Sequence, residues 1–494
     1  MQTKHPPALP VFFLTEMWER FGFYVVQGLL ILYITHALSF SDDKGYSILA
    51  AFTALAYIMP VIGGYFADNV LGFKKTIILG NILLAVGYAL LVMHGEYILY
   101  PALAMIVTGT GFFKPNISSM LGIYYGDNDS RREAGFTIFY IGINVGALAS
   151  TATSGFIQEH FGWYASFGVA SLGLIVGMLT FLIGMRIVER RTTDTERRLF
   201  GQTKFSALLQ NKFILLVSVI CLILFADLLI QHRELSQVLI WGGSALIFAW
   251  LMYSTFRYPM QIRNKMLALI CLVISSIVFW ALFFQMYFAF DLFIDRCVQR
   301  TIGTFTIPTV AFMSVESICL LILGGLFAYF WRVLSERNRN PSLGFKFSLA
   351  TLTLSAGFLC LIAGIHFAGL SGMVNPLWVV AAYFLLAVAE LLLSPVGLSM
   401  VTVLAPKEKV AFLMGVWFLA LGLGGEFAGT IAKQAAVPKT LTDPHLIAQL
   451  YEHAFGQYVI YSLVVGLIIL LASPTLRTLA NGENLSWKKV FSIR

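Results

Sequence analysis

The sequence predicts an all-α integral membrane protein, on three observations. Of 494 residues, 58% are hydrophobic and 12% charged, with a mean hydropathy of +0.81. That balance lies outside the range of soluble globular domains. Apolar runs recur along the whole chain, at the ~20-residue length that crosses a ~30 Å hydrocarbon core. Lys and Arg collect in alternate connections between those runs, the asymmetry that orients membrane helices.

Fourteen runs qualify: 11–38, 46–67, 75–94, 98–124, 134–158, 164–186, 212–231, 236–256, 266–290, 311–333, 345–367, 375–404, 410–434 and 452–472. With both termini in the cytoplasm, only Lys44, Arg233, Arg296, Arg300, Lys433 and Lys439 fall on the opposite side, and only Arg20 and Lys114 fall inside spans. The other Lys and Arg face the cytoplasm, including Arg190, Arg191, Arg197 and Arg198 in the connection after the sixth run. The net charge of +8 is thus a topology signal and not a nucleic-acid patch.

An even count with both ends inside also fits twelve helices plus two. The expected division is a six-helix bundle at 1–190, a basic loop and two-helix linker hairpin at 191–262, a second six-helix bundle at 263–475 and a cytoplasmic tail at 476–494. Two such halves with a site between them at the midplane are a common transporter design. About ten residues precede the first run, which itself carries Glu and Arg, so no cleavable signal peptide is expected. The five cysteines have no CxxC spacing and read as packing residues, with no disulfide framework and no metal site.

Charged residues inside spans carry the functional information, because each costs at least ~3 kcal/mol at bilayer depth unless it faces a partner or water. The first span holds Glu16, Glu19 and Arg20 within five residues. At about 100° per residue, Glu16, Arg20, Tyr24 and Gln27 share one face, with Glu19 at its edge. That face is expected to line a polar cavity. The fourth span places Lys114 in Gly109-Thr110-Gly111-Phe112-Phe113-Lys114-Pro115-Asn116. Its expected partner is Glu16 or Glu19, either as a static salt bridge or as a pair that opens and closes during a cycle.

The second span carries Tyr57 and ends in Gly63-Gly64-Tyr65-Phe66-Ala67-Asp68, followed by Gly72, Lys74 and Lys75. An acid at a helix end before a Gly and a basic pair looks like the loop signature of the major facilitator superfamily. In the fifth span, Tyr140 and Asn144 are four apart and share a face. An Asn there serves either a helix–helix hydrogen bond or a polar cavity. The twelfth run repeats the spacing with Glu390 and Ser394, next to Pro395. Glu316 and Glu426 are further acids at depth, and Trp417 lies nine residues before Glu426.

Together these motifs resemble the proton-coupled oligopeptide transporters, in their bacterial di- and tripeptide permease branch. Glu16-x-x-Glu19-Arg20-Phe21 resembles the family's ExxERF motif. Gly63 to Ile77 resembles its GGxxAD…LGxxxTI signature, and Phe139-Tyr140-x-x-Ile143-Asn144-x-Gly146 its FYxxINxG signature. Phe112 to Asn116, Phe279-Trp280 with Gln285, Glu390-x-x-x-Ser394-Pro395 and Gly415-x-Trp417-Phe418 extend the likeness across nearly the whole chain.

The resemblance implies a major facilitator fold of two six-helix bundles plus two linker helices, and proton-driven uptake of short peptides by alternating access. No cofactor is implied beyond the proton gradient. Arg20 and Lys114 would receive the peptide carboxylate, with Tyr24, Gln27 and Tyr57 beside them. Asn144 and Glu390 would hold the backbone and amino terminus, with Tyr140, Trp280, Ser394 and Trp417 shaping the pocket. Glu16 and Glu19 would join Arg20 and Lys114 in the proton-linked network, and Asp68, Lys74 and Lys75 would latch the halves. The expected location is the bacterial inner membrane, with both termini cytoplasmic and the monomer as the working unit.

The chain departs from the family pattern at three places. Gln27 stands where the family often has a second first-helix cation. Phe283 and Phe284 stand where a seventh-helix acid is expected. Glu316-Ser317 replaces an Asn that is usually followed by Pro. Glu316 is therefore expected to take over proton binding or to strengthen capture of a cationic end. The altered segment keeps open a same-fold transporter of a non-peptide amine or amino-acid-derived solute. An intramembrane enzyme is disfavoured, since no HExxH, paired catalytic Asp motif or metal-ligand cluster is visible.

Overall fold

A computed structural model of the chain describes residues 5–125, 129, 131–189, 212–337 and 339–483. Arg190, Arg191, Arg197 and Arg198 of the basic connection lie outside the described residues, as does most of the C-terminal tail.

All fourteen apolar runs form helices. They are α1 (Leu9–Leu32), α2 (Asp42–Phe66), α3 (Phe73–Val92), α4 (Glu96–Tyr125), α5 (Arg132–Phe161), α6 (Trp163–Glu189), α7 (Lys212–Gln231), α8 (Arg233–Thr255) and α9 (Met260–Phe283). A short α10 (Ala289–Cys297) follows, then α11 (Met313–Glu336), α12 (Leu343–Ala368), α13 (Pro376–Leu404), α14 (Val410–Ala432) and α15 (Pro444–Ala480). Among the described residues, thirteen spans are long and apolar enough to cross a membrane, with α9 and α10 counted as one. The remaining long helix, α1, has the length to cross but carries Glu16, Glu19 and Arg20.

Local chemistry sets many of the helix ends. Ser342, Asn375 and Asp443 cap α12, α13 and α15 by accepting from backbone N–H groups of the first turn, and Pro376 and Pro444 occupy the first helical positions. Gly72, at φ 77°, breaks the chain between α2 and α3, a conformation that favours Gly. Before α5, Asp129 accepts from the side chain and backbone N–H of Arg131, which holds its carboxyl down at about 2.

Two differences from the sequence expectation are physical in origin. The ninth run does not stop at 290. It passes through one 3₁₀ turn (Phe284–Tyr287), breaks at Phe288 (φ −112°, ψ −96°) and resumes as α10 to Cys297. The last helix starts at Pro444, well before the apolar run, because Asp443 and Pro444 begin it with a cap. A two-stranded antiparallel hairpin pairs Thr301 with Thr306 and Ile302 with Phe305, turning at Gly303 with φ 64°.

The chain divides into two compact units, Met1–Ser39 with Ala51–Arg233, and Phe40–Ala50 with Glu234–Arg494. In the first, α1 packs on α5 and α6, and α3 packs on α4 and α6. Helix α7 packs on α4 through Val219 and Phe112. In the second, α12 packs on α13 and α15, α9 on α14 and α15, and α11 on α13. Helix α8 lays Trp241 and Trp250 edge-on against Phe427 and Phe412. The two helices of the expected linker hairpin thus fall in different units.

Glycines set the helix crossings of the first unit. A Cβ on Gly63 would stand 1.9 Å from the Gly111 carbonyl oxygen, whereas Gly64 has open space. Pro115 lacks the N–H that would otherwise bond that carbonyl. Asn116 Nδ2 donates across the same crossing to Gly63 O at 3.1 Å. On α5, Gly142 and Gly146 meet the backbone of Phe13 and Met17 on α1, so the small residues of that motif bring two backbones together. Of the cysteines, Cys297 is buried, but Cys221 and Cys271 are exposed on helix surfaces and do not pack as expected.

Candidate functional site

In the first unit, α1 carries a buried charge cluster. Glu16, Glu19 and Arg20 are each at most 3% exposed. Arg20 Nη2 donates to Glu19 Oε1 at 2.7 Å, and Nε donates to Glu19 Oε2. Arg20 Nε also lies 3.4 Å from Glu16 Oε1, one helical turn back. The guanidinium sits 4.7 Å from the Phe23 ring centroid. The predicted face is present, but the tightest partner of Arg20 is Glu19, expected only at its edge. Neighbouring residues on a helix do not ordinarily face each other, and here the long Arg side chain folds back along the helix to its neighbour.

Of the two forms expected for a Lys114 pair, the static salt bridge is not the one present. Among the described residues it forms no ion pair with Glu16 or Glu19; its ammonium rests 4.6 Å from the centroid of the Tyr57 ring. Arg20 has taken the carboxylates. A ring face is a weaker partner than a carboxylate, so the lysine remains able to accept an anion.

The polar neighbours are held by adjacent helices. Gln27 Nε2 donates to Thr53 Oγ1 on α2 at 3.2 Å; Thr53 carried no sequence signal. Asn144 is buried and donates to the Tyr140 carbonyl of its own helix at 2.9 Å, while the Tyr140 ring is 49% exposed. Tyr24 and Tyr57 are half-buried. Asp68 is exposed in the π-helical turn just beyond α2 and forms no ion pair among the described residues, with Lys74 half-buried and Lys75 exposed at the start of α3.

In the second unit, two acids meet. The Glu316 and Glu390 carboxyls, from α11 and α13, come close enough to interact, and the Ser317 hydroxyl donates to Glu316 Oε2 at 3.2 Å. Ser394, a turn beyond Glu390, is half-buried.

The two tryptophans are packing centres. Trp417 is 1% exposed, with its indole against Gly397 and the Phe347 ring. Trp280 packs on Gly424 among Phe279, Phe283 and Phe284. Gln285 follows and ties α9 to α14 by donating to Ala281 O and Ala428 O. Glu426 is fully buried.

Sequence reading missed three further groups here. Arg296 grips Asp42 through Nη1 (2.6 Å) and Nη2 (2.8 Å), and the Val437 N–H donates to the same carboxylate. Asp291 and Tyr383 are both fully buried. Nothing in the apolar pattern marks them.

The family model described as the POT family matches residues 74–449. The chain belongs to the POT family. It is 30% identical to the dipeptide and tripeptide permease B of Photorhabdus asymbiotica, over 97% of each chain. It is also 30% identical to the dipeptide and tripeptide permease A of Escherichia coli K12, over 97% of this chain and 94% of that one. Among solved structures, a peptide transporter POT in complex with sulfate superposes with a TM-score of 0.82 at 28% identity, covering 97% of this chain and 96% of that one. A tetrameric PepTSo2 gives 0.83 at 25% identity, covering 96% and 99%. The fold is that of the POT peptide transporters, an all-α membrane protein that crosses many times, and POT proteins are transporters, not enzymes.

Proposed function

We propose that this chain is a secondary active transporter that carries di- and tripeptides into a bacterial cytoplasm together with protons, by alternating access. Membership of the POT family supports the class. The single observation that carries the substrate chemistry is Lys114. It is a cation in the middle of a spanning helix, set on an aromatic face and in no direct ion pair among the described residues, which leaves its ammonium able to meet an incoming peptide carboxylate.

In this reading Arg20 and Lys114 take the carboxylate, with Tyr24, Gln27 and Tyr57 around it. Asn144 and Glu390 take the backbone and amino end, Glu316 adds a second carboxyl, and Tyr140 and Ser394 contribute polar surface. Trp280 and Trp417 hold the shape of the second unit from behind, since both are packed. Glu16, Glu19, Arg20, Lys114 and Glu316 carry the proton coupling. Asp68, Lys74 and Lys75 act as a conformational latch. One proton moved through ~150 mV supplies ~3.5 kcal/mol, enough for ~300-fold accumulation.

The proposed location is the inner membrane with both termini cytoplasmic, as the Lys and Arg distribution indicates. The proposed organisation remains two six-helix bundles joined by a two-helix linker, and the proposed working unit is the monomer. Uptake of labelled dialanine by cells producing the chain tests the reading. Unlabelled di- and tripeptides should compete, and free alanine, tetraalanine and a diamine should not. Competition by the diamine alone would favour the non-peptide alternative.

A further inference from the structure

Among the described residues, Asp291 is a fully buried acid without a hydrogen-bond partner. It sits in the first turn of α10, just past the break at Phe288, where an acid would ordinarily accept backbone N–H bonds. It accepts none: it is 0% exposed and neither carboxyl oxygen has a hydrogen-bond partner among the described residues. The hydroxyl of Tyr383, on α13, is likewise buried and unbonded, and the Tyr383 ring lies edge-on 6.0 Å from that of Phe290, the residue before Asp291.

The surrounding charges are already committed. Asp295, a turn further along α10, is paired with Arg300 at 3.3 Å. Arg296 is held by Asp42 and by Tyr451 of α15. Tyr458 of α15 donates to the Ile431 carbonyl, Tyr46 is buried beside Phe288, and Cys297 is a buried thiol. No cation among the described residues is left for Asp291. Tyr383, on the Phe290 ring, stands near both Asp291 and Glu316, and Glu316 stands near Glu390. The buried groups Asp291, Tyr383 and Glu316, with the half-buried Glu390, thus lie between the helix break and the acid pair within the second unit.

We propose that Asp291 is a proton-carrying site of this transporter, with the Tyr383 hydroxyl beside it passing the proton toward the Glu316–Glu390 pair. A bare carboxylate with neither donor nor counter-charge is not sustained in such surroundings, so Asp291 holds its proton in this conformation and gives it up when water or a donor reaches it in another. The step is a proton transfer alone: the Asp291 O–H bond breaks, the proton passes to an acceptor oxygen, and no electrons are exchanged.

The proposal rests on the proton-coupled reading above, so the test separates the two. Asp291→Asn in proteoliposomes should keep dialanine counterflow, which needs no net proton movement. Accumulation driven by a 100 mV inside-negative potential should fall about 50-fold, the ratio carried by one charge at that potential. Equal accumulation by D291N and wild type would overturn the proposal, whereas a wild type without dialanine counterflow would sink the transport reading instead. Infrared difference spectra on a pH jump give an independent readout. One protonated-carboxyl band of wild type should be lost in D291N, apart from any band of the Glu316–Glu390 pair, and the same band should be shifted in Tyr383→Phe. If D291N does not assemble, a spectrum unmoved by Tyr383→Phe overturns the proposal on its own.

Discussion

Arg20 holds Glu19, the residue immediately before it, through two parallel hydrogen bonds, the Nη2 bond at 2.7 Å. Bidentate Arg–carboxylate pairs are among the strongest hydrogen-bonded contacts, and this one is buried. Its consequence lies on another helix: Arg20 engages the first-span acids, and the Lys114 ammonium rests on the Tyr57 ring.

Removing one member of that pair strands the other. Glu19→Gln should lower thermal stability in detergent by about 3–5 kcal/mol, the usual cost of breaking a buried ion pair. The double change E19Q with Arg20→Gln should recover part of the stability and none of the uptake. Differential scanning fluorimetry with dialanine uptake checks both, and an unchanged melting temperature for E19Q would count against the pairing.

Lys114 should read the peptide carboxylate. Wild type should prefer dialanine over its C-terminal amide by at least ~10-fold in competition, about 1.4 kcal/mol, and Lys114→Gln should abolish that preference. Tyr57→Leu removes the ring face, so it should cost about 0.5–2 kcal/mol of support for the ammonium. Inhibition constants for the two ligands against each variant provide the check.

The glycine pair in α2 offers an internal control. Gly63→Ala drives a methyl into the Gly111 carbonyl, and Gly64→Ala meets nothing within 4 Å. Overpacking of this kind costs about 1–3 kcal/mol even where neighbours can yield, and a helix backbone yields little. G63A should therefore lower the yield of folded protein and G64A should leave it unchanged, as size-exclusion profiles would show.

Asp42 should stabilise the second unit. Asp42→Asn keeps an acceptor for the Val437 N–H but loses the charge facing Arg296. Charge-assisted hydrogen bonds contribute about 1.5–3 kcal/mol each, so a fall in melting temperature is expected. Dialanine recognition should persist in the same variant, because Arg20 and Lys114 are untouched.

The spans were legible because ~20-residue apolar runs leave little choice in a membrane, and the buried charges of α1 were legible because such residues are rare there. The Gly63–Gly111 crossing was visible as composition but not as a contact, since sequence does not say which glycines meet. That Lys114 forms no direct ion pair here is not legible, because charge complementarity points to a carboxylate, while the fold lets Arg20 reach both acids first. Asp42 and Arg296 are distant in sequence, and no spacing rule links them. Asp291 was overlooked because the apolar run appeared to end at 290; the break at Phe288 carries the chain onward into a second short helix.

The most direct measurement is labelled dialanine uptake into proteoliposomes holding the purified chain, with an inward proton gradient, without one, and with a protonophore added. Accumulation above the external concentration should appear only with the gradient and collapse with the protonophore. Uptake that ignores the gradient, or no dialanine uptake at all by correctly folded protein, would contradict the account.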